Sequence, residues 1–158
     1  MTVDQHDFRA VLGRFSSGVT VVTTRDDRER DRGMTVSAFC SVSLEPPLVL
    51  VCIGHGASLY PFMDRATHFT INILDVNQEA LARRFAETES NRFDGVGFSR
   101  GVNGMAVLDD VLGYVECSVA GRHEAGDHDI FIGAVEAAVA NEGKPLLYYR
   151  GGYAQLER

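Results

Sequence analysis

The sequence predicts a mainly β protein, in which antiparallel strands form a β-barrel with peripheral α-helices. Seven short segments are β-prone, and Gly, Pro or charged turns separate them. Only three segments, one near the N-terminus and two in the middle, place apolar residues at helical spacing. With 158 residues, of which 45% are hydrophobic, residues 1–158 suffice for a single domain with its own core.

The N-terminal part of the chain predicts a helix followed by a β-hairpin. Between Asp4 and Phe15 apolar side chains recur at helical spacing, which indicates an amphipathic helix. The β-branched run from Val19 to Thr24 predicts a strand. Residues Arg25 to Arg32 are all charged, four basic and four acidic, so we expect a solvated hairpin tip whose charges cancel.

Two segments of contrasting composition follow the hairpin tip. Residues 33–43 are small, β-prone and rich in hydroxyl groups, and they predict a strand that pairs back on the preceding one. Leu48 to Ile53 is a continuous apolar run of the kind that a fully buried strand needs. Pro46 and Pro47 separate the two strands, because proline has no N–H group to donate to a ladder.

The hydroxyl-rich strand has two interpretations. Its small polar side chains leave the backbone accessible, which suits a flat ligand with polar edges; they are Thr35, Ser37, Ser41 and Ser43. The same composition fits the solvated face of an edge strand. The residues alone leave both interpretations open.

Helices, strands and one loop are predicted in the rest of the chain. The helices are Ala57 to Ala66, with Pro61 near its first turn, and Asn77 to Thr88. Phe69 to Leu74 predicts a strand between them, and the glycine-rich, aperiodic segment Ser90 to Gly104 predicts a mobile loop or an interface arm. Three more strands complete the barrel: Leu112 to Gly121, Asp129 to Val139 and Leu146 to Tyr153.

Composition excludes several functional classes. The net charge of −7 argues against a nucleic-acid surface, which needs a basic face. Charged residues or histidine interrupt every apolar run before it reaches the length of a membrane span, and the N-terminus lacks the apolar core of a secretory signal. Cys40, Cys52 and Cys117 are widely spaced in strand-like sequence, which indicates reduced, buried thiols in a cytoplasmic protein.

Each of two motifs resembles a known type of ligand site but lacks an essential part of it. Residues 54–59 begin like a dinucleotide fingerprint, but Leu59 stands where the third glycine belongs, and the β-α-β context is missing. His123 and His128 are five residues apart around a Gly-Asp turn, whereas a zinc hydrolase needs two histidines four apart on a helix. We therefore predict neither a Rossmann domain nor a metal site.

Five segments, in order, resemble the short-chain flavin reductases, the NAD(P)H:flavin oxidoreductases that supply two-component monooxygenases. The segments are FRAVLGRFSSGVTVVTT (Phe8–Thr24), GMTVSAFCSVSLEPPLVLVCI (Gly33–Ile53), FTINIL (Phe69–Leu74), AGDHDIFIGAV (Ala125–Val135) and PLLYYRGGY (Pro145–Tyr153). SVSLEPP and the Gly-Asp-His triplet at 126–128 are the most specific parts. The resemblance covers nearly the whole chain.

This resemblance implies the split β-barrel of FMN-binding domains, of Greek-key type, in a homodimer with the flavin close to the subunit interface. It also implies FMN or FAD as the flavin, NADH or NADPH as the hydride donor, and a separate oxygenase component that receives reduced flavin. The flavin does the chemistry and the protein positions it. Backbone groups from Thr35 to Ala38 would bond the flavin edge.

The resemblance also implies site residues, some with alternatives left open. The flavin contacts would be Met34, Thr35, Val36, Ser37, Ala38, Ser41, Val42, Ser43, Cys52, Ala57, Ser58, Asn72, Arg83, Arg84, Phe85, Ala86 and Tyr153. Ser58, near a helix N-terminus, would hold the phosphate with either Arg83 or Arg84, since adjacent helical residues point about 100° apart. His128 would position the nicotinamide. At most one of Tyr148 and Tyr149 would join Tyr153 at the ligand.

Two other functions of the same fold are weighed against the reductase. One is a flavin-binding or carrier module without turnover, in which a side chain would fill the space above the flavin. The other is an oxidase that acts on another substrate; by resemblance, the Gly-Asp-His triplet argues against it.

Overall fold

The computed structural model describes residues 1–87 and 92–157, and about half of them form antiparallel strands. The strands are β1 Ser17–Gly18, β2 Thr20–Arg25, β3 Asp31–Val36, β4 Phe39–Leu44, β5 Pro47–Gly54, β6 His68–Ile73, β7 Phe98–Arg100, β8 Ala106–Leu108, β9 Gly113–Ala125, β10 His128–Ala140, β11 Leu146–Tyr149 and β12 Gly152–Gln155. Seven strands form one sheet in the order β3-β2-β6-β9-β10-β5-β4. The predicted mainly β fold class is confirmed.

The seven-stranded sheet curls on itself because its two edge strands are consecutive in the chain. Only Ser37 and Ala38 separate β3 from β4, and three Cα–Cα steps reach at most about 11 Å. The Phe39 N–H donates to the Ser37 carbonyl at 2.9 Å, and the Cys52 N–H on β5 donates to the Ala38 carbonyl at 3.0 Å. The prediction of one strand over 33–43 is therefore wrong: a tight turn divides it. We call Ser37 and Ala38 the seam.

The core fills the interior of this curled sheet. Its largest members are fully buried: Ile53, Leu59, Met63, Phe69, Ile71 and Phe131. A second apolar cluster, around Leu74, Phe85 and Leu108, lies between the barrel and the third helix described below.

Strand β5 alternates between the interior and the outer surface. Val49, Val51 and Ile53 are buried, whereas Leu48, Leu50 and Cys52 are only half-buried on the outer face. The prediction that this strand is buried on both faces is thus wrong for a single chain. The outer face of β5 is apolar, and a single copy of the chain leaves it partly exposed.

The helices are short and lie outside the barrel: α1 Gln5–Leu12, α2 Tyr60–Met63 and α3 Glu79–Ala86. The first ends at Leu12, with Gly13 as its C-cap, before the predicted limit of Phe15. The second is shorter than predicted because turns with three-residue spacing flank it, such as the bond from Tyr60 N–H to the Ala57 carbonyl. A 3₁₀ turn, Val76–Gln78, precedes α3, and Thr88, the predicted end, lies outside the described residues. None of the described helices is long and apolar enough to cross a membrane.

Two other predicted elements differ from the structure. Within the predicted loop, Phe98–Arg100 is a strand that pairs with β8, and Ser90 lies outside the described residues. The predicted last strand is a hairpin of β11 and β12, because Arg150 and Gly151 take positive φ values of 52° and 78°. Such φ values end an extended strand and make a tight turn.

The charged tip between β2 and β3 is a hairpin turn, as predicted, but one of its carboxylates is buried. Asp26 accepts hydrogen bonds from the Arg28 and Arg30 N–H groups and from the guanidinium groups of Arg30 and Arg32, at 2.9 to 3.1 Å. Burial alone raises the pKa of Asp26, but these bonds outweigh it and hold the pKa well below its ordinary value.

This arrangement predicts acid sensitivity that depends on Asp26. The ionised carboxylate stabilises the fold fully above the unfolded pKa of about 3.9, and this contribution is lost as the pH falls through the lower folded pKa. In Asp26→Asn we expect a lower melting temperature at pH 7 and a smaller deficit at about pH 3. Asp27→Asn is the control, since Asp27 is 75% exposed. A deficit that stays constant over this pH range would refute the assignment.

Candidate active site

A cavity of about 200 Å³ opens beside the seam. The residues that line it are Val19, Thr35, Ser37, Ala86, Tyr148 and Tyr153. Thr35, Ser37, Ala86 and Tyr153 were among the predicted flavin contacts, and the fold brings them together from distant parts of the chain. The sequence allowed either Tyr148 or Tyr149 to reach the ligand, and Tyr148 is the one that lines the cavity. Val19 was not predicted, because an aliphatic residue in a strand carries no chemical signal.

The seam, which follows β3, supplies backbone donors to this cavity. The Thr35 hydroxyl donates to the Ala82 carbonyl at 2.6 Å, so this side chain ties β3 to α3. Ser37 and Ala38 are exposed, and within the described residues their amide N–H groups make no hydrogen bond. The seam therefore offers two backbone donors that can bond the polar edge of a planar ligand.

Helix α3 presents its two arginines to different surroundings. The Arg83 guanidinium lies 4.9 Å from the ring centroid of Tyr153 and pairs with Glu79 at 3.0 Å. Arg84 instead donates from Nε to the Arg92 carbonyl at 2.7 Å and also bonds Asp94. Arg83 is thus the arginine next to the cavity, and Arg84 bonds the backbone of Arg92 and Asp94.

Tyr153 is an aromatic wall of the cavity. Its ring meets the Tyr148 ring edge-on, with centroids 5.5 Å apart. Burial raises the pKa of Tyr153, and the nearby Arg83 partly offsets this effect. The phenol is therefore neutral at physiological pH, and it offers a flat face with a polar tip.

Ser58 lies before α2, away from the cavity lining. Its exposed hydroxyl is 3.9 Å from the Met34 sulfur, and it does not cap the helix, whose N-cap is Leu59. A helix of four residues has little dipole, so the argument for an anion at its N-terminus fails. Met34 and Ala57 pack partly buried against the barrel core.

Three other predicted contacts are buried. The Asn72 amide donates to the Val21 carbonyl at 3.0 Å and accepts from the Leu108 N–H at 2.9 Å, so its side chain braces the core. Phe85 is fully buried beneath α3, and Val36 is 6% exposed. Their side chains are not part of the cavity lining, so a flavin contact of these three residues stays a prediction.

Strand β4 carries three more predicted contacts across the seam from β3. Ser41, Val42 and Ser43 stand there, and a register shift between Ser41 and Ser43 bulges Val42 outward, where it is 46% exposed. They are not part of the cavity lining in one chain.

His128 lies on the outer face of the barrel at the end of the β9–β10 hairpin. It pairs with Gly54 across the β5–β10 ladder, and a Cβ on Gly54 would lie 3.5 Å from the His128 ring. Cys52 is two residues before Gly54, so its side chain points to the same side of the sheet as that of His128. The Cys52 N–H donates to the carbonyl of Ala38 in the seam. His128 and the seam thus belong to one outer surface.

The turn before His128 fixes the orientation of its ring. Gly126 has a φ of +66°, a conformation that glycine adopts without steric cost. The His128 Nδ1 lies 2.7 Å from the Asp127 carboxylate, and this hydrogen bond lowers the pKa of Asp127. With Nδ1 engaged, Nε2 is the ring nitrogen that can face a ligand.

The chain is similar to proteins of one enzymatic class. The "Flavin reductase" of Pseudomonas putida is 39% identical over 152 residues, which cover 96% of this chain and 89% of that protein. The "Flavin-dependent monooxygenase, reductase subunit HsaB" of Mycobacterium tuberculosis is 35% identical over 98% of this chain and 84% of its own length.

A solved structure extends this similarity to the fold. The Streptomyces globisporus NADH:FAD oxidoreductase SgcE6, in complex with NAD and FAD fragments, superposes with a TM-score of 0.91 at 35% identity. The alignment covers 99% of this chain and 96% of that one. The sequence model "Flavin reductase like domain" matches residues 12–157. The chain therefore belongs to the flavin reductase like domain family, as the five motif segments predicted.

Proposed function

We infer that this chain is an NAD(P)H:flavin oxidoreductase that supplies reduced flavin to a partner monooxygenase. The observation that carries this function is the cavity beside the seam, where backbone donors, two tyrosines and one arginine meet in a chain of the flavin reductase family. When FMN or FAD is bound, it accepts the hydride of NADH or NADPH.

The residues beside the cavity fit a flavin. The Ser37 and Ala38 N–H groups can bond the polar edge of the ring, and Tyr153 offers an aromatic wall. Arg83 supplies the positive charge that a phosphate needs in a chain with a net charge of −7. Ser58, Ala57, Met34 and Cys52 are proposed as further contacts.

We propose that His128 positions the nicotinamide. Its ring lies on the outer surface that also carries the seam, and the Asp127 carboxylate holds its Nδ1. Hydride transfer needs no proton from the protein, so the histidine orients the donor ring and is not an acid or base.

His128→Ala should lower kcat/KM for NADH about two- to tenfold, as the loss of one hydrogen bond would. Flavin affinity, measured by fluorescence titration, should stay nearly unchanged. Asp27, 75% exposed at the tip of the β2–β3 hairpin, is no part of this surface, and Asp27→Ala serves as the control. Loss of flavin binding with intact NADH kinetics would show that His128 is misplaced.

A homodimer is proposed because one chain leaves apolar surfaces uncovered. In α1 no residue is buried, and Phe8 is 54% and Val11 68% exposed. The outer face of β5 is also apolar, and the cavity of about 200 Å³ is smaller than usual ligand pockets of about 300–1,000 Å³. A second copy can cover these surfaces and complete the cavity.

Analytical ultracentrifugation should give twice the chain mass of 17.3 kDa. A monomer at micromolar concentration would contradict the proposed homodimer.

Residues 1–158 are proposed to act as one domain, in the cytoplasm. Cys40, Cys52 and Cys117 all carry free thiols, which a reducing compartment preserves. Only Cys117 is buried as predicted, since Cys40 is exposed and Cys52 is half-buried.

Mixing the flavin-loaded protein with NADH and, separately, with NADPH under anaerobic conditions distinguishes the reductase from a carrier. The reductase should bleach the visible absorbance of oxidised flavin within seconds. A carrier would leave the flavin oxidised with both, and that result would overturn the proposed function.

A further inference from the structure

A buried carboxylate lies directly behind His128, on the inner side of the barrel. Asp129 is 4% exposed, and its two oxygens have different partners. Oδ1 is 2.8 Å from His55 Nε2, and Oδ2 accepts from the Tyr60 hydroxyl at 2.9 Å. The Arg122 Nε lies 3.6 Å from Oδ2. The hydrogen bond from His55 lowers the pKa of Asp129 against the opposing effect of burial, so the group is a carboxylate at neutral pH.

His55 holds the chain on both sides of His128. Its backbone N–H donates to the Asp127 carbonyl at 2.8 Å, and its ring bonds the Asp129 side chain. These two bonds fix the residues immediately before and after His128. His128 itself points to the opposite face of the sheet, because successive side chains of a strand alternate.

The cluster also ties the end of β10 to α2. Tyr60 begins α2, and its ring meets the His55 ring edge-on with centroids 5.1 Å apart. Residues 126–127 form a hairpin tip with exposed side chains. Without the contacts of this cluster, such a tip would open readily.

We propose that His55 and Asp129 are positioning residues that hold His128 in place for the nicotinamide. A buried carboxylate is a costly way to stabilise a fold, and apolar residues of similar volume often serve as well. Its bonds to His55 and Tyr60 instead define the geometry of one strand end. This inference rests on the proposed role of His128.

Amide hydrogen exchange in the protein alone tests the positioning directly. His55→Ala removes the ring bond to Asp129 and keeps the backbone bond to Asp127. In this variant the amides of residues 126–129 should exchange at least about tenfold faster, while those of β2 and β6 should keep their rates. His55→Gln, whose amide can still donate to Asp129, should restore most of the protection. His123→Ala, an exposed histidine on β9, is the matched control. Unchanged exchange at 126–129, or faster exchange throughout the barrel, would overturn the proposal.

A double-mutant cycle connects this positioning to the reaction. His55→Ala should raise KM for NADH about two- to tenfold, with kcat and flavin affinity retained. It should have no further effect in a His128→Ala background, because it acts through that residue. Additive losses would overturn the inference. If His128→Ala alone leaves NADH kinetics unchanged, the proposed role of His128 fails, and hydrogen exchange still decides whether His55 holds the turn.

Discussion

Arg83→Ala is expected to weaken FMN binding by about ten- to a hundredfold while riboflavin binding changes little. A charge-assisted hydrogen bond contributes roughly 1.5–3 kcal/mol, and FMN differs from riboflavin by its phosphate. Arg83 is the arginine of α3 that lies against Tyr153 of the cavity. Fluorescence titration of both flavins gives the two dissociation constants.

The control for Arg83→Ala is a variant that loses the same positive charge at a site away from the cavity. Arg28→Ala provides it, because Arg28 is exposed at the tip of the β2–β3 hairpin, at the other end of these strands from the seam. Arg84→Ala is unsuitable, since Arg84 bonds the backbone of Arg92 and Asp94. Equal losses for FMN and riboflavin in Arg83→Ala would show that the phosphate lies elsewhere.

Gly133→Ala should lower the free energy of unfolding by about 1–3 kcal/mol. A Cβ at Gly133 would lie 2.8 Å from Phe69 Cζ and 2.9 Å from Cys117 Cβ and Sγ, and both side chains are fully buried. The core must shift to admit the methyl group. For a chain of this size each kcal/mol corresponds to roughly 2–4 °C in the melting temperature, which calorimetry resolves.

Gly121→Ala is the control for this substitution. Gly121 lies on β9, beside β10, and a Cβ there would meet its nearest atom at 3.8 Å, an ordinary contact. We expect a change close to zero. If the two variants have the same stability, the packing assigned to Gly133 is incorrect.

The fold class and the family could be predicted because both depend on local sequence. Short β-branched runs separated by turns mark strands wherever they pair, and the Gly-Asp-His triplet is a contiguous motif. The division of residues 33–43 could not be predicted, because the turn at Ser37 and Ala38 has neither glycine nor proline. Closure of the barrel imposes that turn.

The orientation of site residues depends on tertiary packing. Arg83 and Arg84 could not be distinguished by sequence, since the bond from Thr35 to Ala82 helps to fix how α3 lies on β3. The pairing of His55 with Asp129 depends on the register between β5 and β10 and on the turn after Gly54. No signal in a single sequence reveals which arginine faces the cavity or that His55 pairs with Asp129.

Asn72 illustrates the reverse case. Its place in a motif implied a flavin contact, which stays a prediction, whereas its hydrogen bonds to Val21 and Leu108 give its side chain a structural role in the core. A motif includes residues that maintain the site as well as those that touch the ligand.

Steady-state oxidation of NADH and NADPH, each with FMN, FAD and riboflavin, tests the central claim most directly. The purified protein should oxidise at least one nicotinamide, and only when a flavin is present. Oxidation without flavin, or no oxidation with any of the three flavins, would contradict the assignment as a flavin reductase.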